Sequence, residues 1–374
     1  MDFYEEALRS NNMERIYLIE FLDQNEITIE EVITHNIEGN ISIERKNGMR
    51  RTCNLTLENK NGLFTPSSNG LISIPNRIRI NTGLVINGVN QYKQRGVFVF
   101  GDPRMTRNNN GEKITVLETY DKFALLDGTV AGTLEAEYII PVGKPIQDAV
   151  IDLAIEAGIT TPVMVYPTSE VTPYTLTISA GDTFATIFYK YAEMLTWEVF
   201  FDSYGVLRFQ PPPDEDTQSS VMEITEDDSL YLSSVHNFQW NKIRNNISVT
   251  GDNINGSIAF AIASNDNIFS DTYVGKIGKR TEAIQDEIIT TDPLALIRAE
   301  YQVQLNTQIQ ETADLQTLPI DIIDEGDIII LNDPENDFNR DRYVVNTINY
   351  PLANGQEMST NLMKARSFQP NDPI

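Results

Sequence analysis

The chain has one cysteine, Cys53, and two histidines, His35 and His236, among 374 residues. A single thiol forms no internal disulfide, and without a Cys/His cluster no zinc site is legible. No apolar run approaches the ~18 residues that a bilayer-spanning helix needs, so no membrane partner is expected. The opening MDFYEEALRSNN is acidic and lacks the basic-then-apolar pattern of a secretory signal, which points to cytosolic synthesis. Basic residues are scarce: 28 Lys and Arg stand against 54 Asp and Glu, a formal net charge of −26. Direct wrapping of nucleic acid needs cationic patches to neutralise phosphate, and none of any length is present. An acidic wall instead repels DNA and lets it pass, although solubility alone explains the same charge.

Catalytic signatures are missing too. The two histidines lie about 200 residues apart with no Ser or Cys motif around them, and each reads as a polar residue in a loop or at a strand end. There is no G-x-S-x-G, H-E-x-x-H, phosphate-binding loop or dinucleotide fingerprint. Asp202, in WEVFFDSYGVLRF, invites a reading as an acid in an aromatic groove. Asp202 and Gly205 fall on the first and fourth positions of a turn, where Asp accepts backbone N–H bonds and Gly tolerates positive φ, so a hairpin explains both. In DPENDFNRD the alternation of Asp333, Glu335, Asp337, Asn339 and Asp341 is superficially like a calcium loop. Phe338 stands where such a loop needs Gly, and Val344 where it needs its bidentate Glu, so a solvated hairpin loop is the better reading. No catalytic, cofactor-binding or metal residue is assigned, and no cofactor is expected.

What is present is a pattern of short strands. RIYLIEFL, NISIE, CNLTLEN, RIRINTGLVI, GVFVFGD and KITVLETYD are rich in Ile, Val, Thr and Phe and are separated by Asn-Gly and Pro turns. Cys53, Leu55 and Leu57 alternate with Asn54, Thr56 and Glu58, as one buried and one wet strand face require. Six or more such strands predict an antiparallel barrel or sandwich. The period then changes. Ile146, Ala149, Val150, Leu153, Ala154 and Ala157 mark a helix with one buried stripe and Gly158 as its cap. A second helix follows, with Asp182 as N-cap and Phe184, Ile187, Phe188, Tyr191 and Leu195 inward. Trp197, Val199 and Phe201 then pair with a return strand, Val206 to Phe209. PPPDEDTQSS reads as a linker. Beyond it NNISVTG and GSIAFAIAS are strands, a long helix opens with Asp292 as N-cap and Pro293 at its first turn, and three further strands close the chain. Asp-Glu-Gly-Asp at 324–327 reads as a tight turn. Near the N-terminus, Phe3, Tyr4, Ala7 and Leu8 lie at helical spacing, as an arm for a neighbour or a frayed end.

Three segments carry a resemblance. They are GMRRTCNLTLENKNGLF through GVFVFGDPRMT and KITVLETYDKFALLDG; TLTISAGDTFATIFYKYAEMLTWEVFFDSYGVLRFQPP; and NNISVTG through DTYVGKIGKRTEAIQDEIITTDPLALIRAEYQVQL to LPIDIIDEGDIIIL and YVVNTINYPLANGQEMST. In order and spacing they resemble the baseplate hub or tail-tip hub proteins of bacteriophages and of prophage tails in Gram-positive bacteria. The resemblance implies a mainly β chain: a first tube β-barrel domain at 1–140, an inserted α+β domain with a LysM-like helix-plus-hairpin unit at 141–212, and a second tube barrel with one long helix at 213–374. It implies a homotrimeric virion protein without enzymatic activity, whose six barrels join a six-fold tail tube to a three-fold spike. Partners would be a tail tube or distal tail protein, a spike or tail-tip protein and a tape-measure protein, assembled in the host cytoplasm. Three copies carry 3 × 26 = 78 formal negative charges, for a lumen that passes DNA without binding it. Two other readings remain: a peptidoglycan-binding tail module built on the LysM-like unit, and a tail-associated hydrolase, which the missing motifs and the ending at FQPNDPI disfavour.

Overall fold

The computed structural model describes residues 3–10, 13–35, 37–107, 109, 111–215, 217–254, 257–285, 289, 291–307 and 310–365. Strands hold 44% of the chain and helices 17%, so the mainly β expectation holds. Two compact units are present, one of residues 1–234 with 315–362 and the other of residues 235–314 with 363–374.

The first unit opens with a short helix, α1 (Phe3–Leu8), followed by β1 (Arg15–Leu22), β2 (Thr28–Thr34), β3 (Glu38–Glu44), β4 (Arg51–Glu58), β5 (Arg77–Ile86), β6 (Val89–Phe100), β7 (Arg104–Arg107) and β8 (Lys113–Asp121). The alternation of β4 is met in full: Cys53, Leu55 and Leu57 are buried while Asn54 and Glu58 face water. β2 escaped the sequence reading because it pairs with β1 along one side only and is exposed on both faces, which leaves no alternation to read.

After a 3-10 turn at Lys122–Leu125 come β9 (Tyr138–Ile140), α2 (Ile146–Glu156), β10 (Val163–Val165), β11 (Leu176–Ile178), α3 (Phe184–Leu195), β12 (Glu198–Phe201) and β13 (Leu207–Gln210). α2 buries Ile146, Ala149, Val150, Leu153 and Ala154 as read. It ends on Gly158 at φ +77, with Gly158 N–H donating to Ile155 O and Ile159 N–H to Ala154 O, the two bonds of a Schellman cap. α3 starts one residue later than read: Thr183, not Asp182, is its N-cap, because Asp182 closes a turn onto Ser179 O. Ile187, Phe188 and Tyr191 are fully buried, in one cluster with Phe123, Leu153 and the hairpin residues Val199, Phe201, Leu207 and Phe209.

β14 (Ser220–Thr225) follows, and β15 (Tyr231–Phe238) runs to the division between the units. The second unit contains β16 (Asn246–Ile254), β17 (Ser257–Ser264), a one-turn helix α4 (Val274–Ile277), β18 (Thr281–Gln285) and α5 (Asp292–Asn306). Its sheet order is β17-β16-β18, antiparallel then parallel. Ala295 and Ala299 of α5 pack on Ile247, Val249 and Ala259. Thr291 is the N-cap residue of α5; Asp292 instead accepts the Phe260 N–H at 3.0 Å, tying the helix start to the strand beneath it.

β19 (Glu311–Thr317) brings the chain back, and β20 (Ile328–Asp333), β21 (Phe338–Pro351) and β22 (Met358–Lys364) complete it. Within the first unit the order β21-β3-β4-β8-β6-β5-β1-β2 is antiparallel throughout. β20 also pairs with β21, and β14 runs parallel to β20. Among the described strands no pairing closes this order into a barrel.

Candidate functional site

The densest polar cluster of the first unit lies where β4 begins. Arg50 and Arg51 stand opposite the end of β8, so Asp121 Oδ2 accepts both of their N–H groups, at 2.7 and 2.9 Å. Its Oδ1 accepts the Phe123 N–H at 2.9 Å and caps the 3-10 turn. The Arg51 guanidinium is buried. It donates to Phe201 O at 2.9 Å, pairs with Asp324 at 2.8 Å and also grips Glu325. Arg50 lies 3.4 Å over the Phe200 ring and pairs with Glu198 at 3.1 Å and Glu325 at 3.5 Å. Arg45 adds pairs to Glu198 and Glu215, both at 3.2 Å. Arginine suits this role because its planar fork donates in several directions at once and stays charged when buried.

A second node adjoins it in sequence. Asp321 accepts the hydroxyls of Tyr350 and, at 3.1 Å, Tyr4, and pairs with Arg15 at 3.2 Å. Arg95 donates to the carbonyls of Asp321 and Ile323 at 3.1 and 2.9 Å. The segment 319–327 is therefore held by arginines from β1, β4 and β6 and by the turn before β4. The tight turn read at 324–327 is present, with Asp327 N–H donating to Asp324 O at 3.2 Å, and its Glu325 side chain is only 2% exposed.

The electrostatics follow from that burial. Desolvation, then the neighbouring Asp324 charge, pushes the Glu325 carboxyl well above its usual range. Burial acts the same way on Asp324, but the Arg51 charge overrides it and holds that carboxyl below the usual range. Asp121 is raised by desolvation to about 6 despite its three backbone donors, and Asp327 is also raised by burial to about 6. Two acids of opposed protonation side by side are the raw material of acid–base chemistry. Here their partners are the arginines of the same chain and Arg51 is 2% exposed, so the cluster cross-links segments.

Asp202 sits in the β12–β13 turn as read. Its Oδ1 accepts Tyr204 N–H at 3.0 Å and Val206 N–H at 2.9 Å, and Gly205 adopts φ +74. The partner missed in the sequence is Arg208, six residues on, which pairs with Asp202 at 2.7 Å. Phe188 and Tyr191 are core residues. His35 is an exposed loop residue, whereas His236 lies within β15, its ring centroid 4.4 Å from that of Phe238. Of the acidic loop, Asp333 is buried and accepts Tyr231 and Ser234 hydroxyls at 2.6 Å, Asp341 accepts the Asn339 N–H, and Phe338 is fully buried. The N-terminal helix is docked on its own unit: Leu8 is buried, Tyr4 reaches Asp321, and Arg9 pairs with Asp228 at 2.8 Å. The PPPDEDTQSS linker is pinned as well, by Arg342 on the carbonyls of Glu215 and Gln218. The signal that pointed to the junction was there unread: an Arg-Arg doublet opening one strand and Asp-Glu-Gly-Asp opening another.

No family model matches the sequence, and no curated protein matches it. Solved structures do. The tail protein from Neisseria meningitidis MC58 superposes with a TM-score of 0.64 at 11% identity, covering 94% of this chain and 97% of that one. The 43 kDa tail protein of prophage MuSo2 from Shewanella oneidensis gives 0.63 at 12%, covering 94% and 98%. A chain of the Francisella PdpA–VgrG complex gives 0.56 at 10%, covering 99% of this chain and 62% of that one. At these identities the likeness is one of fold: this chain has the fold of phage tail proteins, and the resemblance carried by its sequence motifs is met in its architecture.

Proposed function

We propose that the chain is a structural virion protein, the hub of a phage baseplate or tail tip, assembled as a homotrimer that joins a six-fold tail tube to a three-fold spike. The observation that carries this reading is the fold shared with tail proteins over 94% of the chain. In this reading residues 1–140 and 213–374 are the two tube domains, whose open strand orders close into barrels only in the assembled ring. Residues 141–212 are the LysM-like insert. Partners are a tube or distal tail protein above, a spike or tip protein below and a tape-measure protein, with assembly in the host cytoplasm. The −26 charge of each copy lines a channel that DNA traverses without adhering.

The reading assigns no catalytic residue; its polar cluster is a clamp that keeps the insert and the returning strands on the first sheet. Of the insert's stripe aromatics, Phe188 and Tyr191 are fully buried and Phe184 is half-buried, which favours core packing over a wall-binding role for them. The test is mass by light scattering with negative-stain images of the same peak. A particle near three times 42.2 kDa with a central hole is expected. A single-chain particle that forms no ring even with purified tube protein would sink the proposal, and a clearing zone on cell-wall zymography would overturn the assignment of no activity.

A further inference from the structure

The second unit packs the long helix α5 on a three-stranded sheet, and each outer face carries a row of apolar side chains. α5 turns Ala295, Ala299 and Val303 inward at every fourth residue. The opposite side of that helix carries Leu294, Ile297 and Tyr301 at spacing i, i+3, i+7, with Ile297 58% exposed. In β17 the alternation that buries Ala259 turns Ile258, Phe260 and Ile262 outward, with Phe260 50% exposed. The register places Thr250 and Gln285 in the row of Phe260, and Ser248 and Ala283 in the row of Ile262. The described side chains of that sheet face thus include no charged residue, in a chain with 54 acidic ones.

A helix in a two-layer unit ordinarily has one apolar stripe and a polar back. Contiguous exposed apolar surface marks interaction sites, and depletion of charge marks the centre of an interface. The two patches differ in shape, a helical ridge and a pleated face, the pairing of element types that α5 already makes through Ala295 and Ala299 on the other side of this sheet.

We infer that the α5 ridge of one copy docks on the outward β16–β17–β18 face of the next, a head-to-tail contact between copies of this chain. One such contact covers both bare faces, whereas a different partner shaped for either one leaves the other exposed. Contacts between unlike patches propagate from copy to copy and close into a ring when the rotation permits. Copies of charge −26 repel one another, and among the described residues the sheet face carries no carboxylate to add to that repulsion, while the helix side carries Arg298 and Glu300 of opposite sign. The inference rests on the reading of the chain as a ring former and names the contact that would make the ring.

The experiment uses full-length Phe260→Lys and Ile297→Lys, whose far-UV circular dichroism and thermal melts should match wild type because both positions are exposed. If either variant fails to fold, Ile262→Lys or Leu294→Lys replaces it. Each variant alone is expected at single-chain mass under conditions where wild type forms rings. A 1:1 mixture of the two is expected at two-chain mass and no higher, since one intact ridge meets one intact face and nothing remains to extend it. A variant that assembles like wild type, or a mixture that stays at single-chain mass, overturns the contact while leaving the hub reading intact. Wild type that itself stays at single-chain mass removes the ring reading and the contact together.

Discussion

The two units differ in where they place charge. In the first, Arg50, Arg51, Asp121 and Glu325 are buried at a junction of strands beside a large apolar core, while Ile33, Ile74 and Ile155 face outward. In the second, Leu294, Ile297 and Phe260 face outward, and the described outward residues of the sheet are neutral. Burying ions is expensive unless every one is paired, so a charged junction is a poor means of adding stability but a selective one for fixing which segments meet. Exposed apolar surface is the reverse, indifferent to internal register and reserved for association. The buried ion pairs hold the first unit's own segments in one arrangement, and the outer faces of the second are the ones proposed to be covered.

The comparison breaks first at Arg51. Arg51→Met leaves the partly buried Asp324 without its cation and Glu325 with Arg50 alone, and should cost about 3 kcal/mol in urea unfolding. Glu325→Gln, which only neutralises a carboxyl already driven toward its protonated form, should cost far less; equal losses would mean the arginine acts by packing alone. A core contrast comes next: Phe188→Ala should lose about 3–5 kcal/mol through the cavity it opens. Phe260→Ala in the second unit should stay within about 0.5 kcal/mol in the unassembled chain. A large loss at Phe260 would show that its face is already packed.

The pH response sharpens the junction further. Folding raises Asp121 and Asp327 from 3.8 to about 6, so the protonated forms favour the folded state. Their contribution is complete below the unfolded value and is lost as pH rises through about 6. Unfolding free energy should therefore be larger at pH 5 than at pH 7.5, by about 1–3 kcal/mol, and Asp327→Asn should flatten the slope between those values. A rise in stability toward pH 7.5 would contradict the assignment. The smallest effect belongs to the hairpin turn. Asp202→Ala forfeits two backbone hydrogen bonds and a partly exposed ion pair, about 1–2 kcal/mol by chemical unfolding, and leaves assembly unchanged.

Local pattern carried much of this architecture. β1, β4, β5 and β8 announce themselves by composition and alternation, and α2 with its Gly158 cap by period, because each buries one face and solvates the other. β2 was silent for the opposite reason, having no buried face. The helix starts at Thr183 and Thr291 were each displaced by one residue onto an aspartate, since cap preference is shared by Thr and Asp and only the backbone decides between them. The parallel pairing of β14 with β20 and of β16 with β18 joins segments distant in sequence, and no turn residue encodes it. The junction was not read because neither the Arg-Arg doublet nor the Asp-Glu-Gly-Asp turn names its partner. Those partners lie 273 residues away for Arg51 and Asp324.

The tie between Tyr4 and Asp321 has a consequence during synthesis. The two residues are 317 positions apart, so at roughly 5–20 residues per second the first helix waits about 15–60 s on the ribosome before its anchor exists. Strands β1 and β5 can pair within seconds of emerging, whereas Tyr4 and Arg15 must stay uncommitted until Asp321 arrives and Tyr350 closes over it. The Tyr4 tie therefore forms only after residue 321 has been made, well after Arg9 can meet Asp228.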